Sequence, residues 1–281
     1  MSQTARSNEG LLGSFARVDA ANPTDLVERL DAMHMLEFFR AYKQETFTLM
    51  GLRPGARVAD VGCGTGEDAR SLAELVGEGG TAVGFDMSDA MLSEARTRHV
   101  GSCDNLKFVR AAAEDLRVSE GSFDAIRADR VLTHVPDPAA AVKEMIRVLK
   151  PGGRIVVSEP DMLGCWATNR HHAITDRILR AIAMSCKQPF AARDLYHLFL
   201  DAGIVDAKLA VRSLAIADPA PVENILRFGA AVEAMLKEGQ LTPEEAQLWF
   251  SDFDERRNRG RFLAGVTMFI VAGHKPGEAG A

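Results

Sequence analysis

The sequence predicts an α/β fold in which a mostly parallel sheet is wound on both faces by helices. Three observations carry this expectation. Short apolar runs alternate with helical periods through the middle of the chain. A glycine-rich turn, "VGCGTG", joins the first run to a helix. The stretch "LKPGG", Leu149 to Gly153, then stops a later helix with proline and glycine directly before another run.

Taken in order, "PTDLVERLDAMHMLEFFRAYKQETFTLMGL" places Leu26, Leu30, Met33, Leu36, Phe39 and Phe47 at helical spacing, which predicts one or two amphipathic helices ahead of the sheet. "RVADVG" reads as a strand followed by a helix over 67–76, and "TAVGFD" as a strand followed by a helix over 89–99. "LKFVRA" is a third strand. "FDAIRAD" is a fourth, followed by a helix over 139–149, and "GRIVVSEP" is a fifth. Beyond Pro160 the rhythm loosens into two helices, the strand "DAKLAVRSLAI" and a helical stretch over 221–239. A helix then starts at "LTPEEAQ", where Thr242 and Glu245 have capping-box spacing, and a last apolar strand lies within "RFLAGVTMFIVAGHKP". This gives a helical cap over 1–48, a core over 49–161, helical segments and closing strands over 162–276, and a disordered tail over 277–281. The start, before about Ser14, is also expected to be disordered.

With 281 residues, 47% of them apolar and 26% charged, the chain can bury a substantial core. A net charge of −6 gives no general attraction to phosphate backbones, so a small molecule is expected as partner rather than nucleic acid. Cys63, Cys103, Cys165 and Cys186 lack metal or redox spacing and are expected to be reduced. No secretory leader and no apolar run of 18 residues is evident, so the reading is a cytoplasmic protein without membrane insertion, either monomer or homodimer. The basic run Arg256 to Arg261 follows Asp252, Asp254 and Glu255 and reads as a self-paired, solvated face.

Gly62, Gly64 and Gly66 follow a strand and open a helix, so backbone amides and a helix N-terminus should face a ligand above the strand ends. The spacing is G-x-G-x-G, with Ala69 where a dinucleotide-binding turn would place its third glycine. Asp86 ends the second strand. There a carboxylate can accept hydrogen bonds from both hydroxyls of a ribose, or it can cap the helix starting near Ser88. Met87 beside it either covers a nucleobase or fills a gap.

"VADVGCGTGEDARSLA", "GFDMSDAMLSEAR", "AAAEDL", "FDAIRADRVLTHVPDP" and "EMIRVLKPGGRIVVSEPD", spread over residues 49–161, resemble the successive motifs of class I S-adenosylmethionine-dependent methyltransferases. The likeness is to the small-molecule branch related to the quinone C-methyltransferases. It implies a Rossmann-like sheet of seven strands with a reversed last hairpin, and S-adenosylmethionine bound across the strand ends. Position by position it implies that Asp60, Gly62, Gly64 and Gly66 surround the methionine and ribose, that Asp86 holds the ribose hydroxyls and that Met87 meets the adenine. Where the family often has an acid, Ala112 stands here, which leaves the Ala113 backbone and the Glu114 side chain as substitutes.

A methyl on a sulfonium is already activated, so positioning supplies much of the catalysis, and a base is needed only where the acceptor must lose a proton. His134, after the fourth strand, is the leading base candidate, and packing against the cofactor is its other reading. Glu159 and Asp161 are directed to the same rim, where either can orient an acceptor or cap a turn. Arg130 meets the cofactor carboxylate or pairs with Asp129. The resemblance implies an acceptor pocket built from the terminal and inserted segments, with His34, Phe38, Tyr42, Trp166, His171, His172 and Phe190 as candidates. No metal is assigned, since the adjacent histidines point in different directions and no further ligand has suitable spacing.

The leading expectation is an enzyme methylating a small, partly apolar metabolite at carbon, oxygen or nitrogen. The alternative keeps the fold and the cofactor but performs a non-methylating reaction such as cyclisation. A nicotinamide oxidoreductase is disfavoured by the glycine spacing and by the lack of a Tyr-x-x-x-Lys pair. Methylation of macromolecules is disfavoured by the acidic balance.

Overall fold

A computed structural model describes residues 23–277. The expected disorder before Ser14 lies outside the described residues, as does the expected tail beyond Gly277. Two helices lead the chain, α1 (Pro23–Met35) and α2 (Glu37–Met50), separated by Leu36 in an extended conformation. The β-α alternation then follows: β1 (Arg57–Val61), α3 (Glu67–Val76), β2 (Thr81–Asp86), α4 (Asp89–Arg98), β3 (Leu106–Arg110), β4 (Phe123–Asp129), α5 (Pro138–Val148) and β5 (Leu149–Pro160). After a 3₁₀ turn at Met162–Gly164 come β6 (Trp166–Ala167), α6 (His172–Met184), α7 (Ala191–Asp201), β7 (Val205–Ile216), α8 (Pro219–Leu226), α9 (Phe228–Lys237), α10 (Pro243–Asn258) and β8 (Ala264–His274).

The sheet runs β3-β2-β1-β4-β5-β8, with β1 to β5 parallel and β8 antiparallel to β5. β7 pairs antiparallel with the other edge of β8, giving the reversed final hairpin. The sheet has eight strands where seven were expected, and the extra one is β6. β5 reaches β8 as far as Pro160 opposite Met268, and β6 resumes the same line with Trp166 opposite Gly265. The Asp161 amide still donates to the Thr267 carbonyl at 2.8 Å, and the chain then leaves the ladder through the 3₁₀ turn before β6 resumes it.

Each face of the sheet is covered. Phe39, Phe47, Met50, Leu72 and Val76 from α2 and α3 pack on one side, and Val142, Met145, Leu195 and Phe199 from α5 and α7 on the other. A separate apolar cluster holds α6, α9 and α10 together around buried Trp249, whose indole donates to Thr175 Oγ1 at 3.0 Å. The helical stretch expected over 221–239 is two helices, because Arg227 adopts a left-handed conformation (φ 53°) between them. α10 starts with the expected capping box, Thr242 and Glu245 satisfying each other's backbone amides. The basic run at its end is self-paired through Arg256–Asp252, Arg257–Asp254 and Arg259–Glu255. All four cysteines are free thiols.

Candidate functional site

At the carboxyl ends of β1, β2 and β4 the chain leaves a cavity of about 330 Å³, roofed by α1, the start of α2 and α8. Its floor is the glycine turn. Gly62, Gly64 and Gly66 all have positive φ (70°, 52° and 85°), which a residue with a Cβ rarely adopts. Only Gly64 has open space where a Cβ would stand, its nearest neighbour being Leu30 at 3.5 Å. At Gly62 a Cβ would lie 2.3 Å from Val131, and at Gly66 2.6 Å from Phe108. Thus Gly64 faces the cavity, while the outer two glycines let the turn pack against the protein. Gly66 does not line the cavity; it caps α3 and leaves room for the Phe108 ring.

Asp86, at the end of β2, accepts from the Gly64 amide and the Ser88 amide, both at 2.9 Å. It ties the turn to the next helix, whose cap is Ser88. Met87 is exposed beside it and lines the cavity with Ala113 and Glu114. A cavity-facing glycine, a carboxylate two strands' width apart from β4 and an apolar strip suit a nucleoside with a charged tail.

The same wall carries a buried ion network. Asp60 on β1 is in register with Arg127 on β4, and the Arg127 guanidinium donates to Asp60 at 3.1 Å and to Asp68 of α3 at 2.8 Å. Lys43 of α2 pairs with Asp68 at 2.7 Å. Asp129 receives the Tyr42 hydroxyl at 3.1 Å and lies 3.4 Å from Arg130 and 3.7 Å from Arg127. Three carboxylates thus face three cations, the condition under which buried charge is tolerated. Burial pushes Asp60 up to about 7, with Asp68 adding to the rise. Burial would raise Asp68 and Asp129 as well, but Lys43 and Arg127 hold Asp68 below the usual carboxylate range, and Arg130 and Arg127 do the same for Asp129. Arg130 itself has φ 60° and lies over the Phe39 ring at 5.2 Å, a strained backbone fixed by packing at the cavity wall.

His134 lines the cavity on the loop after β4. Burial, followed by Arg130, Lys187 and Arg29, pushes its pKa down to about 4, so the ring is neutral at physiological pH. Glu159 is elsewhere: fully buried behind that loop, it accepts from the Val131, Leu132 and Thr133 amides (2.7, 2.6 and 3.3 Å) and from the Thr133 hydroxyl at 2.8 Å. The expectation that it meets an acceptor is corrected, since its oxygens are spent on fixing the loop that carries His134. Asp161 likewise serves the fold, receiving Arg193 of α7 at 2.9 and 3.0 Å.

The cavity brings together Asp60, Gly62, Gly64, Asp86, Met87, Ala113, Glu114, Arg130, His134 and His34. Besides Gly66 and Glu159, six candidates fall outside it. Phe38 packs on Phe39 and Tyr42, and Phe39 takes its expected place. Tyr42 is buried with its hydroxyl on Asp129. Trp166 covers Gly265 at the sheet edge, His171 and His172 start α6, and Phe190 caps α7, partly exposed. These residues were read from their place in the terminal and inserted segments and from their rings, and neither encodes direction. Missed were Arg29, Met162, Lys187, Ile225, Leu226 and Met268. Arg29 shares the inward stripe of α1 with Leu26 and Met33, and a charge in such a stripe was a readable signal.

The model of a methyltransferase domain family matches residues 52–203. An uncharacterized transposon protein of Streptomyces fradiae is 32% identical over 268 residues, covering 91% of this chain and 73% of that protein. A ubiquinone/menaquinone biosynthesis C-methyltransferase of Ectopseudomonas mendocina is 41% identical over 122 residues, 43% of this chain and 48% of the relative, so the likeness spans about half the length of that enzyme. Among solved structures, the YcgJ protein of Bacillus subtilis shares the fold, with a TM-score of 0.61 at 17% identity over 84% of this chain and 99% of that one. With the motif order, the sheet topology and this match over more than half its length, the chain belongs to the class I S-adenosylmethionine-dependent methyltransferases.

Proposed function

We propose that this enzyme transfers the methyl group of S-adenosylmethionine to a small, partly apolar organic acceptor held in the same cavity. The observation that carries the reading is the mixed lining of one cavity, where Gly64, Asp86 and His134 meet the apolar side chains of Met162, Leu226 and Met268. When bound, the cofactor supplies a methyl group already activated on a sulfonium. Asp86 is suited to the ribose hydroxyls, Met87 and Ala113 to the adenine, Glu114 to its amine, and the turn from Gly62 to Gly66, with Asp60, to the methionine part. Arg130 is suited to the amino-acid carboxylate. His134, neutral at working pH, can take a proton from an acceptor that must lose one. The segments 1–48 and 162–276 then supply acceptor specificity over the 49–161 core, and His34 joins that surface from α1. The four free thiols support a cytoplasmic setting. Among the described residues no helix is long and apolar enough to cross a membrane.

Calorimetric titration with S-adenosylhomocysteine tests the assignment. Asp86→Ala should weaken binding by about 2–4 kcal/mol, the loss of two hydrogen bonds to a charged acceptor. Gly64→Val should abolish it, since a β-branched side chain at φ 52° intrudes into the cavity. Wild-type affinity in either variant would remove the glycine turn from the cofactor site.

A further inference from the structure

Two basic side chains of the cavity wall, Lys187 and Arg29, act on His134. Lys187 comes from the loop after α6, and two hydrogen bonds hold that loop against the one bearing His134: the Gln188 amide donates to the Thr133 carbonyl at 3.1 Å, and the Gln188 side chain to the Pro136 carbonyl at 2.8 Å. Arg29 enters from α1, buried, and lines the same cavity. Five of the wall's carboxylates are committed elsewhere. Asp60, Asp68 and Asp129 are matched by Lys43, Arg127 and Arg130, and Asp31 and Glu67 face Arg98 at 2.7 and 3.6 Å. Lys187 makes no ion pair with another described residue, although it opens onto the cavity. The groups acting on His134 agree, for after burial they are Arg130, Lys187 and Arg29, all cationic. Burial and the nearby Arg227 also bring Arg29 down to about 10, against the opposing pull of Asp25 on the same helix.

We propose that the methyl acceptor is an amphiphilic organic anion, its apolar body against Met162, Leu226 and Met268 and its ionised oxygen group, a carboxylate in the simplest case, drawn to Lys187 and Arg29 beside His134. The inference rests on the methyl-transfer reading for the word acceptor, but the anion preference is measurable by itself. Lys187 and Arg29 on the acceptor, with Asp86 and Glu114 on the cofactor, would give the two reactants complementary charged contacts within one cavity.

The test compares 2-naphthoate with neutral 2-naphthamide, each titrated calorimetrically into the full chain with and without saturating S-adenosylhomocysteine. Naphthoate should bind at least about tenfold more tightly than the amide, as one charge-assisted contact allows. Lys187→Gln, at an exposed loop position that leaves folding intact, should cut the preference below about threefold, and Lys187→Arg should keep it. Equal affinity for the two probes, no naphthoate binding at millimolar concentration, or an unchanged preference in Lys187→Gln would overturn the inference. Binding of S-adenosylhomocysteine without a naphthoate preference sinks the anion inference alone. A naphthoate preference without S-adenosylhomocysteine binding sinks the methyl-transfer reading alone.

Discussion

Glu159 shows how one side chain's surroundings decide its role. Four donors converge on its two oxygens, and no part of it reaches the cavity. Burial raises its pKa from 4.5 to about 7, the hydrogen bonds only partly opposing the rise. The Thr133 hydroxyl can turn from donor to acceptor, so the protonated form is also accommodated. The sign of the linkage follows. A carboxyl whose pKa is higher in the folded state contributes stability fully below pH 4.5 and loses it as pH rises toward 7. Glu159→Gln does not titrate and turns an amide NH₂ toward backbone donors, so it should be less stable than wild type by about 2–4 kcal/mol near pH 5. That margin should shrink by about 2–3 kcal/mol by pH 8. Urea unfolding at both pH values checks this, and a margin independent of pH would mean that Glu159 titrates normally. In the sequence, "SEP" beside a strand end suggested a carboxylate on the rim. Its burial depended on the β4 loop folding over it, which no local pattern records.

The β1–α3 unit shows the same at the level of an element. The G-x-G-x-G spacing was legible because positive φ at alternate positions leaves a mark in residue choice. What each glycine makes room for was not legible, because Val131, Phe108 and Leu30 arrive from three other elements. Their different neighbours separate stability from binding. Gly66→Ala should destabilise the fold by about 2–4 kcal/mol, through strain and a clash with a buried ring. Gly64→Ala should cost only about 1–2 kcal/mol of stability, mainly strain, yet lose most of its cofactor affinity. Thermal unfolding set beside S-adenosylhomocysteine titration distinguishes them, and equal stability losses would contradict the geometry. The helix after the turn was placed at 67–76, as found, while the helical period before it left one or two helices open.

Across the whole molecule, the parallel sheet was legible from the β-α rhythm and its reversed hairpin from the family resemblance of successive motifs, whereas much of the cavity was not. Arg29, Lys187 and Leu226 are far apart in sequence and meet only because α1, the α6–α7 loop and α8 close over the strand ends. α1 does more than add side chains to that wall. It forms the roof above the glycine turn, held to α4 by the Asp31–Arg98 pair at 2.7 and 2.8 Å, a partly exposed contact. Exposed pairs contribute about 0–1 kcal/mol, enough to set how often a flap opens but not how tightly its contents are bound once shut. Asp31→Ala should therefore speed both arrival and departure of S-adenosylhomocysteine by about two- to fivefold in stopped-flow measurements, with Kd within about twofold of wild type. A change in the departure rate alone would show that the pair contributes to binding. If both rates move together, the roof is a clock: the spent cofactor leaves on the schedule of one helix, and turnover waits on a salt link on the outside of the protein rather than on the chemistry within.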